Sequence, residues 1–252
     1  MKSLDNILVV MDKPKHAQSA FVRALSLQHL APTHAHLAAF VHHSMVDQTE
    51  TYSTHQRNQI KKSMLRERTD WLRAQVLDAG AAFDNLSIEV VWTKALARWV
   101  TDRSAAEEFD LVIKSVHRTD SIMHTPTDWV LLRDCPVPLL LVSGRKWAKK
   151  PSILATLDLN RSDAAHDRLN RKVLDAANHF ATTYGGVVHC VYAIETSRVL
   201  SDLDIIDPRK AAKKAKERIA DHLQALIEPY GIPASRVHTP TGKVGQVVNG
   251  IA

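Results

Sequence analysis

The 252-residue chain is 45% hydrophobic and 24% charged, the balance of a protein that folds around a core, which excludes a disordered or fibrous one. Its net charge of +6 favours an anionic partner, but the lysines and arginines are spread along the chain. The two cysteines, Cys135 and Cys190, lack metal-ligand spacing and suit a reducing compartment. No apolar run has membrane-spanning length, and the run after Met1-Lys2-Ser3-Leu4-Asp5 is too short for a signal peptide, so a cytoplasmic protein is expected.

In chain order, short aliphatic runs predict strands over Ile7–Met11, His36–Val41, Leu86–Trp92, Asp110–Ile113 and Pro138–Val142. Between them Ala17–Leu30, Gln56–Ala79 and Ala95–Glu107 carry apolar residues at helical spacing. Near-continuous apolar strands with helical crossovers mean a parallel sheet covered on both faces. Five strands in this alternation predict a doubly wound α/β sheet, whose ligands sit beyond the carboxyl ends of the strands. Gly144-Arg-Lys-Trp-Ala-Lys-Lys-Pro151 then reads as a linker.

Beyond it the order starts again. Strands are expected over Ile153–Leu157 and Val187–Ile194 and near Val237, with helices over Ala164–Tyr184 and Pro208–Tyr230. Ile7-Leu-Val-Val-Met-Asp12 recurs as Ile153-Leu-Ala-Thr-Leu-Asp158, and Trp71-Leu72 through Gly80 recurs as His222-Leu223 through Gly231. The fold class is therefore α/β with two tandem doubly wound parallel-sheet domains, residues 1–146 and 147–252. Ala252 falls at the counterpart of Thr101–Arg103, so the second copy is expected to lack roughly forty residues, its last helix and strands, as in an incomplete chain. The dense basic tract Arg209-Lys210-Ala-Ala-Lys213-Lys214-Ala-Lys216-Glu-Arg218 reads as a helix opening with a solvated face.

The tandem repeat, an Asp closing each first strand, the run Thr125-Pro-Thr-Asp-Trp129 and the run Leu131-Leu-Arg-Asp-Cys-Pro-Val-Pro138 together resemble the universal stress proteins of the two-domain E type. The resemblance covers essentially the whole chain and implies the adenine nucleotide alpha hydrolase-like fold. Members that hold ATP use an Asp after strand one, main-chain groups at the end of strand two and a glycine-rich segment after strand four. Glycines there let backbone N–H groups approach phosphate oxygens. Carried over, the resemblance implies Asp12 and Phe40 in the first copy, Asp158 and Ala193 in the second, and hydroxyls of Thr125 or Thr127 near a helix start. The first copy reads Ser115-Val-His117-Arg118-Thr119-Asp120-Ser121 after strand four, with no glycine, and its nucleotide site is expected to be degenerate. ATP as cofactor would then belong to a complete second domain, and this chain is expected to show little ATP affinity.

Each candidate has a plainer reading. Asp12 and Asp158 could bond nearby backbone at a strand end, and Thr127 with Asp128 could cap a helix. Trp129 is expected to fill the groove between helix and sheet. His34 and His36 share a strand face but lack a third ligand, and adjacent His42 and His43 would face opposite ways, so no metal site is expected. Thr241-Gly242-Lys243 fails the phosphate-loop order, and no nucleophile motif or catalytic set is present. The favoured function is a stress-response protein that binds a small-molecule or nucleotide ligand. An enzyme acting as a slow ATP hydrolase or nucleotide transferase is the alternative. A nucleic-acid-associated protein is the third reading, on charge alone. No membrane partner is expected. Domain pairing within the chain, or a homodimer, is expected through the apolar edge strand Pro138–Val142.

Overall fold

Ile7, Leu8, Val9 and Val10 are all buried, a pattern open only to a central strand covered on both faces. A computed structural model describes residues 4–47, 52–81, 83–116, 127–161, 163–195 and 207–252. The chain divides into two units, residues 2–146 and 147–252.

The first unit has strands β1 (Asn6–Val10), β2 (His34–Val41), β3 (Leu86–Trp92), β4 (Leu111–Ser115) and β5 (Leu139–Val142). Its helices are α1 (Ser19–Gln28), α2 (Thr54–Asp78), α3 (Leu96–Ala106) and α4 (Thr127–Asp134). The strands are all parallel in the order β3-β2-β1-β4-β5, so the chain reverses direction between β1 and β4. Helices α3 and α4 cover Leu8, Val10, Ala38 and Val112, and the intervening positions Ile7, Val9 and Ile113 are equally buried, on the side of α1 and α2. Ser53 and Gln56 form a capping box that starts α2, as the Ser-x-x-Gln spacing allows. β5 stands at the sheet edge, where the sequence placed it.

The second unit has β6 (Ser152–Thr156), α5 (Ala164–Tyr184), β7 (Val187–Val191), α6 (Pro208–Ile227), β8 (Val237–His238) and α7 (Val244–Ile251). Its sheet is parallel in the order β6-β7-β8, which repeats β1-β2-β3 of the first unit. Leu174, Ala177 and Ala181 of α5 and Ile219, Leu223 and Leu226 of α6 bury the face that presents Ala155, Val188 and Cys190. Burial pushes the Cys190 thiol up to about 11, so it packs as an inert core residue. The repeat reaches the backbone. Gly80 and Gly231, matched in the sequence, both end a helical segment with a left-handed φ, +64° and +61°, which explains the glycine at each position.

One packing expectation fails. Trp129 is 66% exposed. Helix α4 turns Leu131 fully into the core, and a residue two positions away lies about 200° around the helix, hence outward. Thr127 and Asp128 also lie within the first turn of α4 and not at its cap. The basic tract opens α6 on an exposed face, after Asp207 caps it and Pro208 begins it.

Candidate functional site

In each unit the carboxyl end of the first strand leads into an Asp whose main chain is clamped by a side-chain amide. The N–H of Asp12 donates to Gln18 Oε1 at 3.0 Å, and the Gln18 amide nitrogen donates to the carbonyls of Lys13 and His16. In the second unit the N–H of Asp158 donates to Asn170 Oδ1 at 2.9 Å, and Asn170 Nδ2 donates back to the Asp158 carbonyl at 2.8 Å. Gln18 comes from the adjoining loop. Asn170 comes from the buried stripe of α5, where it precedes Leu174, Ala177 and Ala181. A polar residue at the head of an apolar stripe was the available signal for Asn170, and the sequence reading missed it.

The two strand ends differ in access. Asp12 is buried at 8% exposure, and the neighbouring end of β4 is taken up by the chain itself. Ser115 Oγ accepts the Ala20 N–H of α1 at 2.9 Å. Lys114, also buried, pairs with Asp128 of α4 at 2.8 Å and donates to the Ser115 carbonyl. The ring of Phe40 meets Trp99 edge-on, and its carbonyl accepts from Arg68 at 3.4 Å. Thr127 is half-buried in α4. Thr125 lies outside the described residues, as do His117, Thr119 and Asp120.

Asp158 keeps a side-chain exposure of 48%. Its Oδ1 accepts the N–H of Asn160 at 3.0 Å, the local turn that the plainer reading anticipated, and its Oδ2 lies 3.9 Å from His166 Nε2. A cavity of about 290 Å³ opens here, lined by Asp158, Asn160, Tyr192 and Ala193 from below and by Val244 and Val248 of α7. The structure thus brings together Asp158 and Ala193, two residues that share no motif and lie on successive strand ends. Tyr192, not anticipated, donates its hydroxyl to Asn160 Oδ1 at 2.8 Å. Burial, then the charge of Asp158, raises the Tyr192 hydroxyl above its usual range, and Arg218 pulls it back.

The remaining motifs are absorbed structurally. His36 bonds Ser87 and Glu89 across to β3, and His34 shares Ser87. His42 lies beyond the end of β2 and bonds Asp47, so His42 and His43 do not share a strand. Gly242 spends its N–H on the Ile194 carbonyl at 3.0 Å. Among the described residues, no three His, Cys, Asp or Glu side chains gather as metal ligands would.

No protein-family model matches the chain. Universal stress protein E of Salmonella typhi is 26% identical over the whole chain and 82% of its own length, and that of Escherichia coli K12 is 25% identical over the same shares. Among solved structures, a functionally unknown protein of Pseudomonas aeruginosa matches 99% of this chain and 78% of its own at TM-score 0.68 and 22% identity. A universal stress protein of Archaeoglobus fulgidus matches 98% of this chain and 80% of its own at TM-score 0.57 and 13% identity. In sequence along its whole length the chain is similar to proteins named universal stress protein E, and in fold it is similar to universal stress proteins.

Proposed function

We propose that the chain acts in the cytoplasmic stress response by binding a ligand, and that the second unit holds the nucleoside part of a nucleotide-like molecule at the ends of β6 and β7. The observation that carries this reading is the open cavity holding Asp158 and Ala193, set against the buried Asp12 of the first unit. An exposed carboxylate suits the hydroxyls or amines of a nucleoside, and strand-end crevices are where parallel α/β sheets take ligands. Residues 1–146 form a stress-protein domain with a degenerate nucleotide site, a reading supported by Lys114, Asp128 and Ser115 being engaged with one another and with α1. No helix of the described residues is long and apolar enough to cross a membrane.

The test is titration of ¹⁵N-labelled protein with adenosine, and separately with ATP. Saturable shifts at Asp158–Asn160 and Ala193 are expected, lost in Asp158→Ala and in Val244→Trp, which fills the cavity from its rim. Shifts at Asp12 in place of Asp158, or none, would refute the reading. Release of inorganic phosphate from ATP at a rate abolished by Asp158→Ala would turn it into an enzyme.

A further inference from the structure

A second cavity, of about 420 Å³, lies between α5 and α6, and no motif in the sequence pointed to it. Leu159 and Ile219 give it apolar walls, and Asn160, Asp167, Arg218 and His222 give it polar ones. Its volume is that of a small-molecule site. The polar groups differ in how far their bonds are already used. Asn160 has its amide oxygen held by the Tyr192 hydroxyl, which turns the amide to fix the direction of its NH₂ group. His222 Nε2 lies 2.8 Å from Asp167 Oδ1, so this nitrogen carries the proton and donates to the carboxylate. Nδ1 of that ring, Asn160 Nδ2 and the Arg218 guanidinium make no hydrogen bond or ion pair among the described residues. Arg218 is exposed, yet its charge is felt at the Tyr192 hydroxyl, which places it electrostatically beside the Asn160–Tyr192 pair.

We infer that this cavity is a binding site for a small phosphomonoester, separate from the strand-end cavity. Two donors and one ring nitrogen from two chain segments line it: the Arg218 guanidinium and the His222 Nδ1 from α6, and the Asn160 NH₂ from the turn after β6. A tetrahedral phosphate offers three peripheral oxygens to such a set, whereas a planar carboxylate offers two. Phosphate also suits His222 in either protonation state. A phosphate dianion accepts from a protonated Nδ1, and a monoanion donates its P–OH to a neutral one. A carboxylate lacks that second option. Leu159 and Ile219 would take the organic part of the ligand. Asp167 also lines the cavity, and its Oδ1 orients the imidazole by accepting from Nε2. The two cavities share Asn160, but the second unit's nucleoside site is not needed for this inference.

Titration of the whole chain with inorganic phosphate, followed by ¹H–¹⁵N spectra that include the histidine rings, tests it. Saturable shifts are expected at Asn160, Arg218 and the His222 ring. Arg218→Gln, an exposed substitution that keeps the helix, should weaken phosphate binding at least tenfold, and His222→Gln several-fold. Val244→Trp should leave phosphate binding unchanged while abolishing the adenosine shifts, so the two readings fail separately. Shifts spread over Lys210, Lys213 and Lys214 and unaltered by Arg218→Gln would overturn the site. So would acetate binding equally well, or loss of phosphate binding in Val244→Trp.

Discussion

Asp12 and Asp158 stand at the same step of the same repeated strand, and what lies over each one differs. Over Asp12 the chain has spent its own polar groups. Gln18 ties the loop, Ser115 accepts from the first turn of α1, and Lys114 pairs with Asp128 of α4. At Asp158 the clamp comes through Asn170 in the buried stripe of α5, and among the described residues a cavity opens beside the carboxylate. The lesson is that one repeated Ile-Leu-x-x-x-Asp pattern supports a closed end and an open one. The difference lies in β4 and α4, which stand beside β1 in the first unit and have no counterpart among the described elements of the second.

Three changes would break or sharpen that contrast. The largest effect is expected at the closed end. Asp128→Ala leaves Lys114, whose side chain is only 9% exposed, without its counter-charge, and should destabilise the first unit by about 3–5 kcal/mol. Replacing the pair together, Lys114→Met with Asp128→Leu, should recover most of that loss. Urea unfolding followed by a first-unit probe such as Trp99 measures both. If the single change costs less than about 1 kcal/mol, the pair is not what closes this end.

At the open end Asn170→Ala leaves the N–H and carbonyl of Asp158 unpaired, at about 1–3 kcal/mol for each group that water cannot reach. Gln18→Ala takes the amide from one such group, the Asp12 N–H, and otherwise breaks two exposed loop bonds, so it should cost about 1–3 kcal/mol for a single group. The expected order is Asn170→Ala above Gln18→Ala, measured as the shift in each unit's urea midpoint. Equal costs would mean that the second bond to Asp158 does not matter.

The smallest effect is a pH dependence confined to the second unit. His189 stacks on His238 at 5.4 Å, with Nδ1 and Nε2 3.1 Å apart. Burial, then the charges of His238 and Arg236, lowers the His189 pKa. The unfolded chain therefore takes up the proton first, near the ordinary imidazole value of about 6.5, and stability rises with pH in this range. Stability of the second unit should fall as pH drops below that value and level off once the folded His189 also protonates. His189→Gln should flatten this limb of the urea midpoint against pH. An unchanged limb would assign the effect to another group.

How much of this was legible beforehand varies with the range of the interaction. The apolar runs at Ile7, His36, Leu86, Ile153 and Val187 and the helical spacing over 164–184 and 208–230 exposed the elements, the parallel sheets and the repeat. Burial on both faces of a strand and on one face of a helix writes itself into local periodicity. Asp158 and Ala193 were named through the resemblance to the universal stress proteins, and the structure sets both beside one cavity. Asn170 left only a faint mark, one polar residue in an apolar stripe. Arg218 and His222 were hidden in and beside a charge run that read as solvated, and only the packing of α6 beside α5 sets them around a cavity. Trp129 was misplaced because aromatic bulk suggested core, whereas the helix phase set by Leu131 turns it to solvent.

The sequence by itself determined the two-copy α/β architecture, the strand and helix order and the position of both strand-one aspartates, because each follows from hydrophobic pattern and chain order. Tertiary structure alone decided which aspartate is accessible, which amide clamps it, and that Asn160, Arg218 and His222 converge. Those outcomes depend on contacts between residues far apart in the chain, whose pairing no local pattern encodes, and on a few ångströms of space that only the packed helices define.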